Sequence, residues 1–398
     1  MPLPNKKYDV IVVGAGIVGA TFALKLAKES DFTICVVEHS AQLIRNKSPN
    51  QRVFALGEVA IGLLESVEAF NSLTAESRHP YTRMFVWDDH SNGELEFKAA
   101  DYQRESLGQM VDATSLTIAL QAKLSEHSQI DVKYSQQLDT LSLTESVASI
   151  ELAAQSKTQK AVRVSAPLIV AADGVNSWSR QQAKIFANYQ NYNQQGIVAL
   201  IKTELNHQNT AWQVFLSTGP LALLPLSDNQ CSIVWSADDQ FAEELNELNN
   251  QEFANQIKNA MGAKLGNVDL LSQRQSFALK SLQAQTYFKH RFALLGDAAH
   301  SIHPLAGQGA NIGLKDVISL TKILSATSAN KLGDLVVLSR YQSERKPDNE
   351  QTNAMMNFLH TAYQADKGTW PMLRGLGMNT TSHSKLLKMV LAKQAMGL

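Results

Sequence analysis

Two glycine-rich segments at opposite ends of the chain carry the residue types that hold a flat, phosphate-bearing ligand. The later one reads Gly296-Asp297-Ala298-Ala299-His300 and continues after two residues as His303-Pro304-Leu305-Ala306-Gly307-Gln308-Gly309-Ala310-Asn311-Ile312-Gly313. Asp297 closes the apolar run Phe292-Ala293-Leu294-Leu295, which reads as a buried strand. A carboxylate at that strand end can accept a ribitol or ribose hydroxyl. The glycines beyond it let backbone come close to a flat ligand. Ala310 to Leu324 reads as a helix, so its free N–H groups and positive dipole end would face the same ligand. Asp297, Gly307, Gly309, Ala310 and Asn311 are the candidate contacts here.

The earlier segment supplies the partner. Tyr8-Asp9-Val10-Ile11-Val12-Val13 has the continuous apolar character of a central parallel strand. Gly14-Ala15-Gly16-Ile17-Val18-Gly19 follows at once, then a helical pattern to about Lys28, then Phe32-Thr33-Ile34-Cys35-Val36-Val37 ending at Glu38. This is the strand–loop–helix–strand context of a dinucleotide fingerprint. Gly14 makes the tight turn, Gly16 admits a pyrophosphate to the backbone, and Gly19 lets helix and strand pack closely. Glu38 would accept the adenosine ribose hydroxyls, which argues against a 2′-phosphate. The chain has only one such fingerprint. Separate Rossmann domains for two dinucleotides would show two, so one fingerprint plus a distant Gly-Asp loop points to a single long flavin dinucleotide, FAD, held at both ends.

A third element, Leu168-Ile169-Val170-Ala171-Ala172-Asp173-Gly174-Val175-Asn176-Ser177-Trp178-Ser179-Arg180, reads as a buried strand ending in Asp-Gly before a polar helix start. With it the chain resembles the FAD-dependent aromatic hydroxylases of the p-hydroxybenzoate hydroxylase type, which share the same three motifs in the same order. More narrowly it resembles the ubiquinone-biosynthesis hydroxylases, through Ser301 to Gly309, Phe215 to Leu226, Ser232 to Ser236, Arg340 to Arg345 and the closing Gln394-Ala395-Met396-Gly397-Leu398. It departs from their pattern in having Met110-Val111-Asp112-Ala113 for an Ile-Val-Glu-Asn type segment, and Gly309-Ala310-Asn311 for Gly-Val-Asn.

The resemblance implies ring hydroxylation of a polyprenylated phenol or quinol precursor. O2 would be co-substrate, reduced nicotinamide (NADH or NADPH) the external electron donor, and a flavin C4a-hydroperoxide the oxygen carrier, with the hard chemistry belonging to the cofactor. It implies that Arg52 reaches the FAD diphosphate, that Gln109 and Asp173 contact the cofactor, and that Pro304 sits near the reacting edge of the flavin. His303, beside Pro304, is the candidate side-chain base, since imidazole can deprotonate a phenol near neutral pH; His300 reads more readily as structural. Phe215, Leu221, Leu223 and Leu224 would line an apolar substrate cavity, although the same residues would equally fill a core. Two rivals stay open: a hydroxylase of small soluble aromatics, and a non-catalytic FAD-containing assembly subunit.

Composition bounds these readings. At 398 residues, 44% apolar and 18% charged, the chain suits two globular domains. A net charge of −1 gives no basic field for nucleic acid. Cys35 and Cys231 are the only cysteines, which fits buried thiols in a reducing cytoplasm. No spacing suggests a metal, and no apolar run reaches the roughly eighteen residues of a membrane span.

The fold class expected is α/β: a Rossmann-like FAD-binding domain (1–78, 106–185 and 286–330) interleaved with a β-sheet substrate domain (79–105 and 186–285), and a helical C-terminal region (331–398). Within it, Ala55 to Phe70, Met110 to Leu124 and Phe241 to Met261 read as helices. Met84 to Trp87 and Glu94 to Phe97 read as a hairpin around Ser91-Asn92-Gly93. In the tail, Leu386, Leu387, Val390 and Leu391 share a helical face beside Lys385, Lys388 and Lys393. That face would dock on its own protein or a second copy, or touch anionic lipid. The resemblance adds contact with the inner membrane and with other ubiquinone-biosynthesis proteins.

Overall fold

Val10, Ile11, Val12 and Val13 are at most 3% exposed, so their strand must be covered on both faces. In the computed structural model, which describes residues 5–44, 52–154, 161–303, 309–364 and scattered positions between 375 and 388, the Val10–Val13 strand lies inside a six-stranded sheet. Ile34–Val37 and Leu168–Ala171 flank it in parallel, with Ile130–Lys133 and Phe292–Leu294 next outward, also parallel. Phe288–Lys289 closes one edge antiparallel. The carboxyl ends of the three motif-bearing strands therefore emerge side by side, which is where open α/β sheets bind ligands.

Helices α1 (Ile17–Glu29), α2 (Glu58–Ser66), α3 (Ala113–Glu126) and α4 (Trp178–Gln182) belong to this half. Two of them start later than the sequence pattern predicts. Val53–Leu56 and Gly108–Asp112 are strands paired antiparallel, and the second also pairs with Arg78–Tyr81. Apolar residues such as Phe54, Met110 and Val111 satisfy either period, and the cross-strand pairing decides between them. The Asp112 side chain then caps α3, accepting from Ser115 N at 2.5 Å.

The second sheet is built on Ala187–Thr203, flanked antiparallel by Gln230–Asp238 and Gln275–Ala284. It continues through Gly219–Pro225, Thr210–Leu216 and the hairpin Arg83–Asp88/Glu94–Lys98. Its outer face is covered by α5 (Asp239–Glu247) and α6 (Asn250–Ala260). The single helix expected there is split because Asn249 and Glu252 form a reciprocal capping box that starts α6 afresh. Helices α7 (Gly309–Ser325) and α8 (Leu335–Gln364) follow the second sheet. Of the tail stripe, Leu386, Leu387, Val390 and Leu391 lie outside the described residues.

Helices α1 and α7 interlock through Val18. A Cβ built on Gly313 would stand 2.8 Å from Val18 Cγ2, and one on Gly296 would stand 3.1 Å from Cγ1. The first glycine loop is tighter still, since a Cβ on Gly19 would stand 2.1 Å from the Gly14 carbonyl oxygen. Backbone cannot yield as a flexible side chain does, so Gly19→Ala should cost about 1–3 kcal/mol or more in urea denaturation. Gly62→Ala, at an exposed α2 position with nothing within 4 Å of the new Cβ, should gain about 0.5–1 kcal/mol. A Gly19→Ala midpoint equal to wild type would show that the close approach is not needed.

Candidate functional site

The three strand ends are laced by backbone hydrogen bonds: Gly14 N donates to Val37 O at 2.8 Å, Ala172 N to Val13 O at 2.8 Å, and Leu295 N to Ala171 O at 2.9 Å. Gly14 has φ +102°, and a Cβ there would stand 2.5 Å from Ala172 O. At Gly16, by contrast, nothing lies within 4 Å of a built Cβ, and the same holds at Gly174 and Gly309. Gly14 and Gly19 are thus packed shut, while Gly16, Gly174 and Gly309 face open space. Glu38 holds the loop from the next strand: its carboxylate accepts from Ala15 N at 2.7 Å and from Ser40 N at 2.8 Å, with lone pairs left for ribose hydroxyls.

Arg180 joins the Asp-Gly and Gly-Asp motifs. It is 1% exposed, and its guanidinium donates to Ala298 O at 2.7 Å, Val175 O at 3.0 Å and the Tyr189 hydroxyl at 2.7 Å. Asp173 caps its own loop, accepting from Ser177 Oγ and from Ser179 N. Asp297 is exposed, yet protein surrounds it closely enough that desolvation raises its carboxyl above the ordinary range, against the pull of His300 and Arg52. An accessible carboxylate so crowded lies on the floor of an open cleft. Arg52 stands near it, with its guanidinium 5.1 Å from the Phe54 ring centroid. The Asn311 side chain is engaged by protein, donating to Ala55 O at 2.8 Å and accepting from Gly57 N at 2.9 Å; its backbone, with that of Gly309 and Ala310, remains at the start of α7. Gln109 is half-buried in the Gly108–Asp112 strand. Pro304 and Gly307 lie outside the described residues.

Under this cleft runs a buried ionic network. Asp316, fully buried on α7, accepts from His300 Nε2 at 2.5 Å and from Arg345 Nε on α8 at 2.9 Å. Arg345 also reaches Asp348 and Asn349. Burial works against ionisation of Asp316, but His300 and Arg345 outweigh it and hold the carboxyl below the ordinary range.

The second sheet divides the four apolar candidates. Leu221 and Leu223 are fully buried in the core beneath α5 and α6, with Trp235 and Phe253, so they fill that core rather than a cavity. Phe215 takes the face toward α7 and α8, clustering with Ile302, Ile312 and Met356 and stacking on Tyr363 at 3.6 Å between centroids. Leu224 packs at a third cluster around Tyr81, Phe97 and Met110. Beside the Phe215 cluster, His303 is fully buried. Burial, and secondarily His360, pushes its imidazole down to about 3, so the ring is neutral near pH 7. That favours hydrogen-bond acceptance over the general-base role expected of it.

The FAD binding domain family matches residues 7–355. Over its whole length the chain is 31% identical to 3-demethoxyubiquinol 3-hydroxylase of Escherichia coli (strain K12), with 100% of each chain covered. The chain belongs to the FAD-dependent hydroxylases of ubiquinone biosynthesis. This monooxygenase is also 30% identical to ubiquinone biosynthesis monooxygenase COQ6, mitochondrial, of Danio rerio, over 96% of this chain and 88% of that one. With ubiquinone hydroxylase UbiL of Rhodospirillum rubrum it shares 30% identity over 99% and 90% of the two chains. Its fold is shared with p-nitrophenol 4-monooxygenase PnpA of Pseudomonas putida, at a TM-score of 0.78 and 14% identity over 99% of each chain. It is likewise shared with PqsL of Pseudomonas aeruginosa, at 0.75 and 21% identity over 94% of this chain and 100% of that one. The open glycine positions and the cleft-floor Asp297 fit FAD, the cofactor of this hydroxylase family.

Sequence reasoning missed Arg180 as a clamp, and it missed Asp316, Arg345, Gln194 and His360. Only the placement of Asp316 and Arg345 on helices with apolar faces hinted at burial. Because the folded state holds Asp316 below its unfolded value, the stability it contributes is fully present above the ordinary carboxylate range and is lost as pH falls through the lower, folded value. Arg345→Met should cost about 3–5 kcal/mol in urea denaturation at neutral pH, since it leaves a buried carboxylate with one cation fewer. It should also move the acid-unfolding midpoint to higher pH. An unchanged acid midpoint would remove Arg345 from that balance.

Proposed function

We propose that this hydroxylase adds one hydroxyl to the aromatic ring of a polyprenylated phenol or quinol precursor of ubiquinone, drawing electrons from reduced nicotinamide. The observation that carries the reading is end-to-end similarity to 3-demethoxyubiquinol 3-hydroxylase, with neither chain left uncovered. FAD, when bound and reduced, supplies the activated oxygen. The protein contributes binding, orientation and exclusion of water. Gly14, Gly16 and Gly19 bring backbone to the pyrophosphate, Arg52 adds positive charge there, and Glu38 takes the adenosine ribose. Asp297 binds the ribityl end, and Gly309, Ala310 and Asn311 present helix-start backbone to the flavin, with Gln109 nearby. Pro304 and Gly307, outside the described residues, keep the flavin-contacting roles that the resemblance gives them. Asp173 acts through the loop it caps. Phe215, with the methionine-rich cluster around it, offers an adaptable apolar wall to the substrate.

No helix among the described residues is long and apolar enough to cross a membrane. A prenylated substrate resides in lipid, so the same reading places the enzyme at the inner membrane surface, beside other ubiquinone-biosynthesis proteins. Pairing of two copies through the C-terminal helices belongs to the same reading.

The test is mass spectrometry of quinone lipids from cells lacking the gene, complemented with wild type or Asp297→Ala. A prenylphenol one oxygen short should accumulate, clear with wild type, and persist with Asp297→Ala, whose purified protein should also have lost its flavin absorbance. An unchanged lipid profile would move the substrate to small soluble aromatics. Rescue by flavin-free Asp297→Ala would leave only a scaffold.

A further inference from the structure

The long Ala187–Thr203 strand is interrupted where its pairing with Gln275–Ala284 shifts register, between Asn191 and Gln195. Asn193 there has φ +52°, a left-handed conformation that asparagine tolerates better than most residues. Such bulges re-aim side chains. Here Tyr192 and Gln194, 5% and 1% exposed, both turn inward toward His303 and α8, while Asn193 stays outside.

Gln194 Nε2 donates to Asp238 Oδ1 at 3.1 Å. An ionised carboxylate only accepts, so this contact fixes which end of the amide is nitrogen. The oxygen end then meets two imidazoles, His303 Nε2 at 3.2 Å and His360 Nε2 at 3.1 Å. An amide oxygen has two lone pairs and no hydrogen, so both histidines must carry their hydrogen on Nε2. Tyr192 packs edge-on to both rings, at 4.6 Å and 4.8 Å between centroids, and its hydroxyl is anchored on Asn357 of α8. The rings are therefore held in place as well as in tautomer. His303 Nδ1 is left as a bare lone pair, buried and with no hydrogen-bond partner among the described residues. Such an acceptor is costly unless something donates to it.

We infer that Gln194, oriented by Asp238, is a positioning residue that holds His303 in the Nε2–H tautomer, so that its buried Nδ1 accepts a hydrogen bond from the substrate's ring hydroxyl. The inference rests on the phenol or quinol reading above. The hydroxyl keeps its proton, and its lone pairs are turned into conjugation with the ring that is to be oxidised. The titratable groups facing His303 are Tyr192 on its own sheet, Asp238 through Gln194, and His360 from α8. The C-terminal helix thereby becomes part of the substrate site.

The experiment uses full-length, FAD-loaded protein with 15N-labelled histidine. Long-range proton–nitrogen spectra should show His303, assigned by its loss in His303→Gln, as the neutral Nε2–H tautomer. Gln194→Ala should mix the two tautomers and raise KM for a prenylphenol about 3- to 10-fold, the worth of one neutral hydrogen bond, with flavin content unchanged. Gln194→Glu gives a second reading: a carboxylate facing the ring raises the His303 value, so kcat/KM should gain an acid limb absent from wild type. A wild-type His303 in the Nδ1–H form overturns the inference. So does a Gln194→Ala protein with wild-type tautomer and KM while wild type hydroxylates normally. The tautomer is read without substrate, so the expected spectrum from a protein that hydroxylates no prenylphenol would instead overturn the phenol reading, and with it the hydroxyl's role here.

Discussion

Close approach of backbone at the ends of three parallel strands is the constraint on which the rest of the molecule depends. Gly14 meets Ala172 and Gly19 meets Gly14 at distances where no Cβ fits. Gly296 and Gly313 receive Val18. These contacts place the start of α1, the Asp-Gly loop and the Gly-Asp loop around one cleft. They also leave Gly16, Gly174 and Gly309 with open space where a Cβ would stand. The same residue type thus serves opposite ends, since some glycines are closed in by backbone and others leave their surroundings open.

Below the cleft, polar groups do what apolar packing cannot. Arg180 ties two loops together through the carbonyl oxygens of Ala298 and Val175, and Asp316 gathers His300, Arg345 and Asn349. A buried ionic cluster is a weak source of stability compared with apolar packing of the same volume. It fixes geometry, because each member has only one arrangement that satisfies the others. The network also couples α7 to α8 through Asp316 and Arg345.

The substrate side follows from alternation along strands. Leu221 and Leu223 fall on the face that α5 and α6 cover, so they become core. Phe215 falls on the face that meets α8, where Tyr363, Met355, Met356 and Leu359 join it. One helix beyond both sheets therefore decides which apolar residues Phe215 packs with, and it brings the polar His360 and Asn357 to Gln194 and Tyr192.

The sequence by itself determined the motif-bearing strands, the tight turn at Gly14 and the close packing at Gly19, the cofactor class, and Glu38 and Asp297 as acids that follow strand ends. Each of these is a local demand, in which a positive φ, a missing Cβ or a carboxylate at the end of an apolar run is written within a few neighbouring residues. Tertiary structure decided whether Val53–Leu56 and Gly108–Asp112 were strand or helix, since each needed the other as its partner. It also decided which cluster each of Phe215, Leu221, Leu223 and Leu224 joined, and what the buried polar groups paired with. Gln194 lies 44 residues from Asp238 and 166 from His360. No local pattern specifies such a contact, because a side-chain amide has no preferred partner until the fold has removed water from around it.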